Sequence, residues 1–345
     1  MAIPTRTLGH NGPTVPALGF GALTLGVAAY GSSGSQEGGG TTEEKLKLLD
    51  RAYEIGQRFW DTADVYVDSE DLIGQWFKKT GKRADIFLAS KFGLDYTDNI
   101  QTVNTDPEYV RFACERSLKK LGIDTIDLYY SHRVSDKTPI EKTIEAMVEL
   151  KKEGKIRYLG LSEVSAATIR RAHAVHPIAA VQMEYSPFCL EIESPQIGVL
   201  QTCRELGIAV VAYSPMGRGL LTGQIRSWDD LPADDFFRRN TPKYSAENFP
   251  KILRLVEAFE AVAAAHACTA AQACLAWLIA QGDDVIPIPG TKTVKYLEQN
   301  TAAASIKLTP EEIKEIRRVA EATNLPGERG PISFMAPAFG DTPEL

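Results

Sequence analysis

Long apolar segments and a surplus of basic residues are both missing from this 345-residue chain. No run of about 18 apolar residues occurs, which a membrane-spanning helix requires, and residues 1–6 lack the apolar stretch of a signal peptide. Lys and Arg total 38 against 45 Asp and Glu, a formal net charge of −7. Since phosphate backbones are bound by basic surfaces, this charge argues against a nucleic-acid partner. We expect a cytoplasmic protein with neither a membrane nor a nucleic-acid partner.

Cysteine and the common metal and hydrolase motifs are also scarce. The five cysteines are scattered and include no CxxC pair, which excludes a disulfide scaffold and a zinc knuckle. Neither HExxH nor GxSxG occurs. We therefore predict no metal site and no serine nucleophile activated in the hydrolase manner.

What is present is ordinary globular composition, 44% hydrophobic and 24% charged, with short apolar strands alternating with amphipathic helices. The predicted strands cover residues 17–21, 58–61, 86–91, 126–131, 157–161, 179–183, 208–213 and 285–289. Eight strands separated by helices predict parallel βαβ units, closed as a barrel or left open as a doubly wound sheet. The segment after the first strand, 19–24, lacks the third glycine of a dinucleotide fingerprint. The pattern favours an α/β fold of the (β/α)8 TIM-barrel type, with one domain over residues 1–345.

Several segments lie outside this repeat. Residues 5–13 predict an N-terminal β-hairpin that turns at Asn11-Gly12 and closes the floor of the barrel. A glycine- and serine-rich segment covers 26–40, and an extra C-terminal helix opened by Thr309 precedes a tail. Capping boxes are predicted at Thr41 and at Thr138.

Four polar residues follow three neighbouring strands. Asp61 and Tyr66 follow the second strand, Lys91 ends the third and His132 follows the fourth. Barrels place their active sites at the carboxyl ends of the strands, so these side chains are expected to converge at one mouth. A lone Lys or Asp at a strand end is more often part of a structural ion pair. The presence of all four residues together indicates a catalytic site.

The set suits protonation of a carbonyl oxygen. A tyrosine hydroxyl has an ordinary pKa of about 10, a neighbouring ammonium lowers it, and a carboxylate keeps that ammonium charged. An adjacent His can share the proton and orient a substrate oxygen. We predict that Asp61, Tyr66, Lys91 and His132 are the catalytic residues of a reduction in which hydride reaches the carbonyl carbon.

The later strands offer a place for a hydride donor. Ser162 and Gln182 can bind an amide, Tyr213 offers a flat ring, and the turn at 214–219 exposes backbone amides beside an Arg, as a pyrophosphate cradle would. After the eighth strand, Lys292 and Lys295 flank the start of a helix, a common phosphate position. These lysines favour NADP over NAD.

The sequence resembles the aldo-keto reductase superfamily over residues 18–322. The family signature, Asp-x4-Tyr followed by Lys and His, is met by Asp61, Tyr66, Lys91 and His132. Residues 286–292 and 297–300 are similar to the branch of YakC-like and pyridoxal-reductase-like enzymes. The resemblance implies an NADPH-dependent oxidoreductase that converts aldehydes and ketones to alcohols, with Tyr66 as proton donor.

The resemblance also implies a cofactor site. In it, Ser162 and Gln182 would hold the nicotinamide carboxamide and Tyr213 would stack on its ring. The remaining predicted cofactor residues would line the pyrophosphate or surround the 2′-phosphate: Ser214, Pro215, Met216, Gly217, Arg218, Gly219 and Leu220 in the first group, and Gly290, Thr291, Lys292, Gln299 and Asn300 in the second.

Three residues depart from the family pattern. Glu163 stands where many members carry Asn, Val67 follows Tyr66 where Gly is usual in this branch, and Tyr296 stands where some members place an Arg. One other function is a cofactor-binding regulatory subunit with weak turnover. Another is a lyase or isomerase using Lys91 as a Schiff base, which would need Lys91 neutral and reachable; the adjacent Asp61 argues against it.

The substrate is expected to be a small carbonyl compound, aromatic or of medium apolar size. The walls of the substrate pocket are predicted to come from six apolar residues: Tyr30, Trp60, Phe92, Phe334, Met335 and Phe339.

Overall fold

The computed structural model describes residues 3–10, 12–26, 40–97, 100–331 and 338–345. Some expectations fall outside these ranges. They concern Asn11 of the predicted hairpin turn, most of the glycine-rich segment, and the predicted wall residues Tyr30, Phe334 and Met335.

Eight parallel strands form the central sheet, in the order in which they follow one another along the chain. They are β3 (Phe20–Gly21), β4 (Phe59–Asp61), β5 (Phe87–Phe92), β8 (Ile126–Ser131), β9 (Ile156–Ser162), β10 (Ala180–Glu184), β11 (Ala209–Tyr213) and β12 (Val285–Pro287). The first strand closes on the segment that continues the last. The amide of Gly19 donates to Pro287 O at 2.9 Å, and Gly21 donates to Pro289 O at 3.2 Å. The predicted (β/α)8 barrel is confirmed, and the open doubly wound alternative is wrong.

Two small antiparallel hairpins lie outside the barrel sheet: β1 (Thr5–Thr7) with β2 (Thr14–Pro16), and β6 (Leu94–Thr97) with β7 (Ile100–Val103). The described residues form these α-helices: α1 (Thr42–Glu54), α2 (Ser69–Thr80), α3 (Pro107–Leu121), α4 (Ile140–Lys152), α5 (Ala166–Val175), α6 (Val199–Leu206), α7 (Phe236–Asn240), α8 (Phe249–Ala265), α9 (Ala270–Ile279), α10 (Val294–Ala302) and α11 (Pro310–Ala322).

Strand periodicity divides the apolar residues into two layers. On β4, Phe59 belongs to the cluster inside the barrel, whereas its neighbour Trp60 packs in the layer between sheet and helices. On β8, Leu128 and Tyr130 point inward and Tyr129 points outward. Because side chains alternate along a strand, every second residue at the carboxyl end faces the mouth of the barrel.

A glycine makes room for a tyrosine in the barrel interior. A Cβ on Gly160 of β9 would lie 2.4 Å from the ring of Tyr130 on the neighbouring strand. Because Gly160 has no side chain, the ring of Tyr130 can occupy the space beside it. The interior is thus filled without any change in the spacing of the strands.

The N-terminal hairpin closes the floor, as predicted. Leu8 and Val15 belong to the inner cluster together with Phe59 and Ile286. Arg6 of β1 donates to the carbonyl of Ile279 at 2.7 Å. The hairpin therefore blocks the amino ends of the strands and leaves the carboxyl ends as the open side.

Helix starts match expectation in part. Thr41 and Thr309 form the capping boxes expected of them. The box predicted at Thr138 is wrong: α4 begins at Ile140, and the Thr138 hydroxyl instead donates to Asp106, which precedes α3. A tertiary hydrogen bond has replaced the local cap.

The prediction that Trp60 and Phe92 line the substrate pocket is also wrong. Trp60 packs against Trp76 and Phe77 of α2, and Phe92 stacks on Tyr129, both in the layer beneath the helices. Their strand positions turn them away from the mouth. The β6–β7 hairpin was not predicted from the sequence.

Among the described helices, no single one is both long and apolar enough to cross a membrane. The pair α8 and α9, with a bend of 92° between them, is long and apolar enough when taken together, on length and composition alone.

Val67, between β4 and α2, adopts a left-handed backbone with φ of 51° and is 52% exposed. A β-branched residue with positive φ is strained by about 1–2 kcal/mol. Glycine avoids this strain, but it makes the unfolded chain more flexible, which lowers the free energy of unfolding by about 0.5–1 kcal/mol. Val67→Gly should therefore raise the free energy of unfolding by about 1 kcal/mol, as measured by urea denaturation.

A matched control is Val175→Gly. Val175 is also exposed but is the last helical residue of α5. Here the same change should lower the free energy of unfolding by about 0.5 kcal/mol. Equal effects at the two positions would show that the backbone at Val67 is not strained.

Candidate active site

Three neighbouring strands bring the predicted catalytic residues to the open end of the barrel. Asp61 ends β4, Lys91 lies near the end of β5, and His132 directly follows β8. Tyr66 lies in the connection between β4 and α2, and its amide donates to the carbonyl of Ala63. All four side chains are buried, with Tyr66 8% and His132 6% exposed.

Lys91 is the centre of the group. Its Nζ lies 2.5 Å from Oδ1 of Asp61, 2.7 Å from the carbonyl oxygen of Thr62 and 3.4 Å from the hydroxyl of Tyr66. An ammonium has three hydrogens to donate, so these contacts account for all of them. The lysine is thereby fixed with one hydrogen directed at the tyrosine oxygen.

Asp61 is held from a second side. Its Oδ2 accepts a hydrogen bond of 2.8 Å from Nε2 of Gln182 on β10, on the far side of the barrel. Burial raises the pKa of Asp61 and lowers the pKa of Lys91, while their mutual attraction opposes both shifts. The close contact and the added hydrogen bonds keep the pair ionised.

His132 stands beside the tyrosine. The two rings have centroids 5.8 Å apart and meet edge to face at 81°. Burial, with further contributions from Lys91 and Arg133, holds the pKa of His132 well below its ordinary value. The imidazole is therefore neutral near pH 7, and its buried Nδ1 has no hydrogen-bond partner among the described residues.

The predicted carboxamide and ring residues lie on the next three strands. Ser162 ends β9 and Gln182 lies on β10; both are buried. Tyr213 ends β11 and remains partly exposed. The pairing of β9, β10 and β11 brings the three residues to one side of the mouth.

The loop after β11 contains the predicted pyrophosphate residues. Ser214, Gly217, Arg218 and Gly219 all have positive φ, so the backbone curves sharply. The Arg218 guanidinium lies 3.6 Å from the centre of the Phe237 ring, and its Nε is buried without a hydrogen-bond partner among the described residues. Pro215, Met216 and Leu220 belong to the same loop.

The predicted 2′-phosphate residues surround the start of α10. Gly290 bridges to Gly21 where the barrel closes. Lys292 is exposed, Gln299 is partly buried, and Thr291 and Asn300 are buried. The carbonyl of Thr291 accepts a hydrogen bond of 2.8 Å from Thr24. The structure therefore brings the two predicted parts of the cofactor site to the same rim of the barrel.

One cluster at this rim was not predicted. Arg329, in the segment after α11, contacts the carboxylate of Glu163 at 2.8 Å and that of Glu184 at 3.3 Å. The hydroxyl of Tyr213 donates to Oε1 of Glu163 at 2.9 Å. A glutamate at 163 where many family members carry Asn was the one sign in the sequence.

Metal ligands are not grouped in the described part of the chain: no three His, Cys, Asp or Glu residues there are arranged to hold an ion.

The chain is similar to known proteins over nearly its whole length. A model of the Aldo/keto reductase family matches residues 18–321. Aldo-keto reductase str7 of Strobilurus tenacellus is 53% identical, with 100% of this chain and 99% of that protein covered. Aldo-keto reductase yakc [NADP(+)] of Schizosaccharomyces pombe is 50% identical over the same shares. Among solved structures, glycerol dehydrogenase AKR11B4 of Gluconobacter oxydans is 27% identical with a TM-score of 0.82, covering 97% of this chain and 100% of that one.

The neutral state of His132 has a consequence for stability. Below a pH of about 6.5 the unfolded chain protonates this histidine, whereas the folded chain does not. The folded state then binds fewer protons, so acid favours unfolding. His132→Gln should therefore make the fall in unfolding free energy between pH 7 and pH 5 smaller, by about 2 kcal/mol.

Urea denaturation at a series of pH values measures this difference. Tyr129→Phe serves as the buried control, because burial raises the pKa of that hydroxyl well above its ordinary value and it does not titrate in this range. The same acid slope in His132→Gln and in the unmodified protein would show that His132 is protonated in the folded state.

Proposed function

Because the chain belongs to the aldo/keto reductase family, we propose that it reduces aldehydes and ketones to alcohols with NADPH at the mouth of the barrel. The observation that carries the proposal is Lys91, whose ammonium is held by Asp61 and directed at the hydroxyl of Tyr66. The relative in Schizosaccharomyces pombe is named for NADP(+), which supports the cofactor.

The residues present suit this cofactor. Since a carboxylate accepts hydrogen bonds, the NH2 of Gln182 faces Asp61, and its carbonyl oxygen is left as an acceptor for a carboxamide. The partly exposed ring of Tyr213 offers a stacking surface, and the Nε of Arg218, which lacks a hydrogen-bond partner among the described residues, suits an anion. Lys292 and the start of α10 would hold the 2′-phosphate.

When bound, NADPH supplies a hydride to the carbonyl carbon. The chain supplies the proton: the Tyr66 hydroxyl gives it to the carbonyl oxygen. The ammonium of Lys91 then stabilises the tyrosine oxygen as it becomes negative, and Asp61 keeps that ammonium charged and in place. Neutral His132 stands beside Tyr66 without adding a positive charge, and would orient the substrate oxygen.

The Schiff-base alternative fits this geometry poorly. A lysine nucleophile must be neutral and accessible to substrate. Lys91 is fully buried, and all three of its hydrogens are used in contacts to Asp61, Thr62 and Tyr66. Breaking the ion pair would leave the buried carboxylate of Asp61 without its charge partner, at a cost of about 3–5 kcal/mol.

The test is the loss of NADPH absorbance with 4-nitrobenzaldehyde, an aliphatic aldehyde, a ketone or pyridoxal. Tyr66→Phe should lower kcat/KM by about 10²–10⁴-fold, because it removes only the proton donor. NADPH binding, followed by fluorescence, should be retained by the variant.

Tyr129→Phe is the matched control. Tyr129 is buried on the outer face of β8, and its hydroxyl has no hydrogen-bond partner in the part of the chain that the structure describes. Its removal should leave kcat/KM unchanged. Binding of NADPH without turnover of any substrate would favour the regulatory subunit, and no NADPH binding at all would contradict the proposal.

A further inference from the structure

Glu163 contacts the side chain of Tyr213, the neighbouring strand β10 and the C-terminal tail. Its Oε1 accepts from the Tyr213 hydroxyl at 2.9 Å and from the amide of Glu184 at 3.0 Å, and its Oε2 accepts from Arg329 at 2.8 Å. Its backbone has φ of 52°. A residue held by this many contacts in an unfavourable backbone conformation is fixed by its surroundings.

The tail reaches this residue twice. Arg329 approaches the side chain, and the amide of Gly340 donates to the backbone carbonyl of Glu163 at 2.8 Å. The guanidinium of Arg329 also lies 5.1 Å from the centre of the Phe339 ring. Both described parts of the tail are therefore attached to the same residue.

Two carboxylates in this cluster contact the same cation. Glu163 and Glu184 are both buried, and both lie against the guanidinium of Arg329. Burial alone would raise the pKa of Glu163, but Arg329 and Arg133 outweigh it and the pKa is lowered. Glu163 is thus a buried, ionised carboxylate whose contact with Tyr213 places it at the predicted nicotinamide position.

We propose that Glu163, clamped by Arg329, is a positioning residue of the nicotinamide site that fixes the Tyr213 ring and biases binding toward the oxidised nucleotide. This inference rests on the proposed function, which places nicotinamide against Tyr213. The nicotinamide ring is positively charged in NADP+ and neutral in NADPH. A fixed negative charge close to the ring therefore lowers the dissociation constant of the oxidised form relative to the reduced form.

The test is the ratio of the dissociation constants, Kd(NADP+) over Kd(NADPH), measured by titration calorimetry at pH 7. Glu163→Gln keeps the size of the side chain and removes its charge. The ratio should rise by roughly threefold to tenfold, the usual size of one charge–charge interaction in a partly solvated site. A residue that served only as an anchor for the tail would change both constants by the same factor and leave the ratio unchanged.

Arg329→Met tests the opposite sign. It leaves both carboxylates without their shared cation, so the ratio should fall below that of the unmodified protein. The double variant, Glu163→Gln with Arg329→Met, removes one charge of each sign and should return the ratio towards the unmodified value. Since the single and double variants make separate predictions, misfolding of one of them leaves the others decisive.

Tyr213→Phe separates positioning from charge. It breaks the hydrogen bond to Glu163 while keeping the ring and the carboxylate. Both dissociation constants should rise, with little change in their ratio. Glu153→Gln is the control: Glu153 ends α4 just before β9, at the amino ends of the strands, and pairs with Arg111 and Lys155. It should alter neither constant.

The outcomes distinguish the two proposals. If the unmodified protein binds neither nucleotide, the proposed function fails and this inference fails with it. If it binds both but the ratio is unchanged or lower in Glu163→Gln, the inference alone is overturned.

Discussion

The contact between Lys91 and Asp61 is the interaction on which the open end of the barrel depends. Two charges removed from water are tolerated only when geometry and further hydrogen bonds compensate for the loss of solvation. Here the ammonium of Lys91 also donates to the carbonyl of Thr62, and the carboxylate of Asp61 also accepts a hydrogen bond from Gln182. These bonds join β4, β5 and β10 across the interior. The same contacts leave one lysine hydrogen for Tyr66. The requirement to satisfy a buried ion pair and the requirement to orient a proton donor are met by one set of bonds.

The barrel explains why these groups can meet at all. Asp61, Lys91 and His132 are far apart in the chain, but each occupies an inward position at the carboxyl end of its strand. The alternation of side chains fixes this direction, since Trp60 and Phe92, one residue away, face the helices. The amino ends cannot serve the same purpose, because the hairpin carrying Leu8 and Val15 fills them.

Much of this could be predicted from sequence because the information is local. Apolar strands with period two, glycine after helices and a tyrosine five residues after a strand-end aspartate are all visible within short windows. The same locality misplaced the cap at Thr138, whose hydroxyl is used by Asp106 of another segment. Local sequence also led to the wrong prediction that Trp60 and Phe92 line the substrate pocket. A place at the end of a strand predicts how far along the barrel axis a residue lies, but the direction of its side chain depends on the strand register.

The contact of Arg329 with Glu163 could not have been found in this way, because 166 residues separate the partners. Only the departure from the family's Asn was visible, and a single exchanged residue does not identify its partner. The structure supplies the reason why a glutamate is tolerated there: the tail brings a cation to neutralise it. A change directly after β9 is thus compensated by a segment outside the eight-fold repeat.

The two clusters have opposite electrostatic character, and their positions agree with the proposed chemistry. In a reduction by NADPH, negative charge leaves the nucleotide and reaches the carbonyl oxygen. The ammonium of Lys91 lies on the proton-donor side, next to Tyr66, while the carboxylates of Glu163 and Glu184 lie next to Tyr213 on the side proposed for nicotinamide. A positive group where negative charge arrives and a negative group where it departs both stabilise the products of the transfer. Because both groups are fixed by buried contacts before any substrate binds, the barrel does not have to reorganise to provide this field. Arg329 limits the effect, since its guanidinium contacts both carboxylates and offsets part of their negative charge.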